Sequence, residues 1–229
     1  MAAAPHFVLL PGLDGTGELF GPLVEALGEN VTTSVVRYTS ELTFDEYVES
    51  AAKALPDQCA VIAESFSGPV AIALAARHPG KILSLVLCAT FAVSPFRTLL
   101  QAAKFVPATL LRPNPLLPMM VNHFCFSGGS FSLRPSPVAA VSSVAPAIMR
   151  ARLECLASVD VRPLLSRVAM PVLYLRASAD RIVSVRLGNE LTSLLPNVKV
   201  TDIIGPHLLL QTRPRECAAA IESFIRANW

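Results

Sequence analysis

Cys59-Ala-Val-Ile-Ala63-Glu64-Ser65-Phe66-Ser67-Gly68 is the stretch on which the reading of this chain turns. A short apolar strand, residues 59–63, gives way within three residues to a helical run, 66–78, that stops at Pro79-Gly80. Between them stands small-x-Ser-x-Gly. Small residues around a serine are what a tight strand-to-helix turn needs if it is to lift a hydroxyl out of a sheet without side-chain clash. Average residue usage alone produces the pattern in about one chain in ten, so its weight comes from its position. The competing reading is a serine that merely caps a helix.

The same rhythm extends in both directions. Residues 6–10, 32–38, 82–88, 172–176 and 198–204 read as further strands, and 19–27, 44–55 and 213–229 as helices. Near-continuous apolar strands alternating with helices predict an α/β chain with a roughly six-stranded, mostly parallel sheet and helices on both faces. Residues 92–158 break the rhythm: no strand is evident, and prolines recur at 95, 107, 113, 115, 118, 135, 137 and 146. A structureless loop of that length would be unusual. Its Leu, Met, Phe and Ala content predicts short helices forming an inserted helical lid. The expected organisation is a core of residues 1–91 and 159–229 carrying a lid of residues 92–158.

With 229 residues, 52% of them apolar and 16% charged, and a mean hydropathy of +0.51, the chain has material for a large core and is no disordered segment. A net charge of +2 argues against general nucleic-acid binding. Five dispersed cysteines without CxxC spacing (59, 88, 125, 155 and 217) read as reduced, mostly buried thiols, and hence a cytoplasmic setting. The Met1-Ala-Ala-Ala-Pro-His start has no basic region before its short apolar run, so no signal peptide is expected; nor is a transmembrane helix.

A nucleophilic serine needs a base, and a base needs an orienting acid. His207, in Ile204-Gly-Pro-His-Leu, follows the last strand; Asp180, in Arg176-Ala-Ser-Ala-Asp-Arg-Ile, follows the one before. In a parallel sheet both emerge at the same edge as Ser65, the edge at which open α/β sheets bind ligands. Imidazole takes the serine proton, and the carboxylate fixes the imidazole tautomer. His6, His78 and His123 suit a strand start, a helix end and the lid; Asp160 reads as a cap and Asp202 as a strand residue. Two backbone N–H groups should hold the oxyanion: that of Phe66, and that of Leu13 in the glycine-rich loop Leu9-Leu-Pro-Gly-Leu-Asp-Gly-Thr-Gly17. Asp14 and Thr16 read as turn residues. The same loop suggests a dinucleotide site with Glu41 as ribose acid, but its glycine spacing is one residue too long. Nor does any tyrosine carry a lysine four residues on.

These four segments, in this order and at these strand ends, resemble the α/β-hydrolase fold superfamily, in particular its small lidded serine esterases. The resemblance spans the whole chain. It implies a carboxylic ester hydrolase with Ser65, Asp180 and His207 as triad, Leu13 and Phe66 as oxyanion hole, and no metal or organic cofactor. The family includes biotin-pathway esterases that act on an acyl-carrier-protein methyl ester, which implies, as an alternative, an esterase or thioesterase acting on acyl chains carried by an acidic acyl carrier protein. A hydrolase-fold receptor or scaffold is the alternative of a different class. The chain departs from the family pattern in having Pro11-Gly12 where His-Gly is usual and Ala63 where the elbow usually begins with Gly. It also starts almost on the strand leading into the oxyanion loop, so the two antiparallel strands that open the family's usual eight-stranded sheet are not expected.

Within the lid, Phe105, Leu110, Leu111, Met119, Met120, Phe124 and Phe126 are too many large apolar side chains for a solvated loop. With Leu208 beside the histidine, Met119, Met120 and Phe124 are the expected walls for an apolar acyl group. The lid carries six cations (Arg97, Lys104, Arg112, Arg134, Arg150, Arg152) and one anion, Glu154, a net +5 that leaves −3 for the rest of the chain. Such a basic face either keeps a greasy lid in water or, through Arg150 and Arg152, docks an acidic carrier.

Overall fold

The computed structural model describes residues 5–97, 116–129 and 131–228. Six strands form one sheet: β1 (His6–Leu10), β2 (Thr32–Val35), β3 (Cys59–Glu64), β4 (Ile82–Cys88), β5 (Val172–Ala177) and β6 (Val198–Ile203). Their order is β2-β1-β3-β4-β5-β6 and every pairing is parallel. The central strands are apolar from end to end because both faces are covered: β3 is buried at all six positions. The edge strands are polar and only partly buried, Thr32-Thr-Ser-Val in β2 and Val198-Lys-Val-Thr-Asp-Ile in β6, which suits strands paired on one side only.

Successive residues of each strand point to opposite faces. Val8, Leu10, Val61, Ala63, Leu85 and Leu87 pack with Tyr47, Val70 and Leu74 of α2 (Phe44–Lys53) and α3 (Ser67–Arg77), with α1 (Gly21–Leu27) on the other side. There Phe7, Leu9, Ala60, Ile62 and Val86 pack with Leu23 and Leu27 of α1 and with the Cys217, Ile221 and Phe224 stripe of the final helix. α2 starts with a capping box, Thr43 Oγ1 accepting from Glu46 N while the Glu46 carboxylate accepts from Thr43 N.

Between β4 and β5 the described residues form α4 (Leu117–Cys125), α5 (Pro137–Ser142) and α6 (Pro146–Ser158), with an isolated antiparallel bridge between Val93 and Asp160. Then come α7 (Val185–Ser193), α8 (Leu209–Thr212) and α9 (Pro214–Asn228). Among the boundaries that differ from the sequence reading, two lie beside the β1–α1 loop. β2 ends at Val35 rather than at residue 38, because Tyr38 N donates to Gly15 O (2.8 Å) and the chain there follows the β1–α1 loop. α1 starts at Gly21, after a single 3-10 turn, Glu18–Phe20. Among the described residues no helix is long and apolar enough to cross a membrane. Phe105, Leu110, Leu111, Lys104 and Arg112 lie outside the described residues.

Candidate active site

Because β1 is followed by β2 on one side and β3 lies on the other, the sheet reverses its winding between β1 and β3. The carboxyl ends of those two strands carry the Gly12–Gly17 loop and Ser65, so the crevice of the switch point is where these segments meet.

Ser65 has φ +48, in the left-handed region that a non-glycine residue rarely occupies. That geometry costs on the order of 1–3 kcal/mol and persists only when its surroundings enforce it. Here Ser65 N donates to Cys88 O (3.0 Å), Gly68 N donates to Ser65 O (3.0 Å), and Thr90 Oγ1 also donates to Ser65 O. The second small residue of the turn is required by packing: a Cβ on Gly68 would lie 1.9 Å from Thr90 Oγ1. The fully buried Ser67 hydroxyl donates to Pro11 O and so ties the turn to the β1–α1 loop.

His207, 3% exposed, stands after β6; Asp180 stands after β5. His207 Nε2 lies 2.8 Å from Ser65 Oγ, and Nδ1 lies 2.8 Å from Asp180 Oδ2. An ionised carboxylate only accepts, so Nδ1–H donates to Asp180 and Nε2 is left to accept from the serine hydroxyl. The other carboxylate oxygen accepts from Ile182 N (2.7 Å) and Val183 N (2.8 Å), which fixes the acid's orientation. The structure thus brings the three residues singled out in the sequence into one hydrogen-bonded chain. The rivals are engaged elsewhere: Asp202 pairs with Arg176 at 2.5 Å, Asp160 caps the turn at Arg162, His6 bonds Ser34 and His123 bonds Arg181.

Leu13 and Phe66 line the same cavity as Ser65 and His207, a cleft of about 360 Å3. Its walls are chiefly apolar, among them Leu19, Phe91, Met120, Val121, Phe124 and Leu208. Met119, expected there, is 62% exposed and lies outside the lining: next to Met120 on a helix, it faces about 100° away. α4 is tied to both loops behind it. Leu208 N donates to Cys125 O (3.2 Å), and Ser127 Oγ donates to Ala179 O beside the acid.

A second correction concerns the lid arginines. Arg150 is about three-quarters buried on its side chain and lies 3.9 Å from Glu154. Arg152 is 1% exposed. Its guanidinium donates to Leu13 O (3.0 Å), Asp14 O and Tyr38 O (2.7 Å), so it is no part of an exposed basic face. The carbonyls of a tight loop needed a donor, and the arginine supplies it.

Glu64, passed over in the sequence as a spacer, is 2% exposed and lines the cleft. Burial pushes its carboxyl up to about 7, although the Gln211 amide that donates to Oε2 (3.0 Å) and the electrostatic influence of His207 pull the other way. Asp14 adds to the rise. Glu64 Oε1 and the Gln211 carbonyl oxygen have no partner among the described residues. The available signal was an acid ending a strand otherwise made of Cys, Ala, Val and Ile. Asp14 behaves as the turn residue it was read to be, its carboxylate accepting from Thr16 N (2.9 Å) and Thr16 Oγ1 (2.6 Å).

No protein-family model matches the chain. It is 27% identical to the pimeloyl-[acyl-carrier protein] methyl ester esterase of Aromatoleum aromaticum, over 80% of each protein. Among solved structures, a hydrolase from Oleispira antarctica superposes with a TM-score of 0.86 at 15% identity, over 98% of this chain and 92% of that one. The enol-lactonase from Burkholderia xenovorans LB400 gives 0.78 at 19% identity, over 97% and 92%. With its all-parallel six-stranded sheet, the chain has the fold of the α/β hydrolases.

Proposed function

We propose that the protein is a serine hydrolase that cleaves carboxylic esters through an acyl-enzyme. The observation that carries this reading is the unbroken Ser65–His207–Asp180 chain, both links at 2.8 Å, opening onto an apolar cleft. Ser65 Oγ attacks the ester carbonyl as its proton passes to His207 Nε2. The carbonyl oxygen gains a negative charge and is held by the N–H groups of Leu13 and Phe66, the latter at the N-terminus of α3. Collapse of the tetrahedral adduct breaks the ester C–O bond, and His207 gives its proton to the departing alcohol. Water, deprotonated by His207, then attacks the acyl-enzyme, and release of the acid restores the serine hydroxyl.

In this reading residues 92–158 are a lid over the core, and Met120, Phe124 and Leu208 receive the apolar acyl part. The similarity to the pimeloyl-[acyl-carrier protein] methyl ester esterase favours, as the finer version, an acyl chain presented on an acidic carrier protein. Arg152 is withdrawn from that docking face by its burial. The buried free thiols Cys59, Cys88 and Cys217 accord with a reducing compartment such as the cytoplasm.

The test is p-nitrophenyl butyrate. A burst of p-nitrophenol equal to the enzyme concentration or smaller, followed by steady turnover that Ser65→Ala abolishes, is expected. A burst without turnover would point to a hydrolase-fold receptor, and turnover that survives Ser65→Ala would overturn the assignment.

A further inference from the structure

We propose that Arg152, on α6 of the inserted segment, is a positioning residue for the oxyanion hole: it fixes the Leu13–Gly15 backbone and so couples the segment over the site to the amide at Leu13. The inference rests on the esterase reading for its catalytic meaning and on geometry for everything else.

A guanidinium with 1% exposure and no ion pair among the described residues is costly to desolvate. Three carbonyls offset that cost: Leu13 O and Asp14 O from one nitrogen, Tyr38 O from another. All belong to the two loops leaving β1 and β2, more than 110 residues away in sequence. The contact is also steric. A Cβ on Gly15 would come within 2.5 Å of a guanidinium nitrogen, so the arginine lies directly against the Gly15 backbone.

That backbone sets the direction of the Leu13 N–H. Gly15 N donates to Gly12 O (3.0 Å), and the Gly12–Leu13 peptide is planar and trans, so its N–H must point the opposite way from that carbonyl. Gly15 O in turn accepts from Tyr38 N (2.8 Å), and Tyr38 O accepts from Arg152. The loop is therefore clamped at Leu13, Asp14, Gly15 and Tyr38 by one side chain. An apolar residue of similar length would fill the space at lower desolvation cost but would leave three carbonyls without their arginine donor and the Leu13 N–H held in place only through the Gly15 N–Gly12 O bond.

The test compares wild type with Arg152→Met and Arg152→Lys, at a temperature well below each Tm. For p-nitrophenyl butyrate, Arg152→Met should lower kcat about 10- to 100-fold, less than or equal to the loss of a whole oxyanion donor, with KM within about twofold of wild type. Affinity for phenylboronic acid, whose tetrahedral adduct on Ser65 places an oxygen in the hole, should fall in parallel. Arg152→Lys, able to reach fewer carbonyls, should be intermediate. A structural role alone would shift Tm and leave kcat and boronate affinity of the folded variants unchanged, and that result would overturn the proposal. Should Arg152→Met not fold, Gly15→Ala presses a methyl on the guanidinium while retaining its charge, and the same kcat-selective loss is expected. Should wild type not turn over esters, the esterase reading fails by itself. The clamp is then read from amide hydrogen exchange at Leu13–Thr16, expected at least about tenfold faster in Arg152→Met; unchanged protection refutes it.

Discussion

Replacing Glu64 by Gln should stabilise the protein at pH 8.5 and leave it nearly unchanged at pH 4.5. Glu64 is 2% exposed, and burial raises its carboxyl from 4.5 to about 7. Between those values the folded chain holds a proton that the unfolded chain has released. Stability from this group is therefore fully present below pH 4.5 and is lost as pH rises through 7, levelling off near pH 8. The difference of roughly 2.5 units corresponds to a deficit of about 3 kcal/mol at high pH. Glutamine has no proton to lose, is nearly the same shape, and can keep a hydrogen bond with Gln211. Urea unfolding of both proteins at pH 4.5, 7 and 8.5, with equal m-values as the control for an unchanged denatured state, gives the comparison. Burial also pushes the Cys88 and Cys217 thiols up; the difference between variant and wild type removes their contribution except for the part that comes from their coupling to Glu64. A Glu64→Gln advantage that is the same at pH 4.5 and 8.5 would refute the reasoning and mean that the carboxyl is solvated or otherwise neutralised.

Three further outcomes are expected. If the protein is the proposed serine hydrolase, Ser65→Ala should lower kcat by roughly a million-fold and Asp180→Asn by about ten-thousand-fold, both with near-native thermal unfolding, since one would remove the nucleophile and the other would disturb the tautomer of His207. Gly68→Ala should destabilise by about 1–3 kcal/mol or more, because its methyl would meet Thr90 at 1.9 Å; Thr90→Ala in the same chain should recover part of the loss, seen as a favourable coupling in a double-mutant cycle. Along a series of acyl p-nitrophenyl esters from acetyl to octanoyl, kcat/KM should rise by up to about 0.8 kcal/mol, or about fourfold, per methylene. Phe124→Ala should flatten that rise, and a flat wild-type series would exclude an acyl-lining role for the cleft.

How much of this was legible in the sequence depended on whether the physics was local. β1, β3, β4 and β5 announce themselves because strands buried on both faces must be apolar throughout, and their order of appearance with intervening helices fixes a parallel sheet. That Ser65, Asp180 and His207 come together was readable for the same reason: each sits just beyond a strand end, and a parallel sheet delivers all such ends to one edge. Arg152 was misread because its partners are carbonyls of Leu13, Asp14 and Tyr38, more than 110 residues distant. A backbone carbonyl has no residue type, so composition cannot show that a cation will be drawn inward to satisfy it. Met119 and Met120 were grouped because both are apolar, yet one helical step leaves Met120, itself half exposed, on the cleft lining and turns Met119 away from it. Glu64 lies between these cases. A single acid at the end of Cys59-Ala-Val-Ile-Ala63 must be buried if the strand is, and burial alone pushes a carboxyl toward its protonated form. The position was legible in the strand pattern. Its neighbours Gln211 and Asp14, which determine how far the carboxyl is displaced, come from opposite ends of the chain and become neighbours only once β1 and β3 pair and α8 closes over the carboxyl edge.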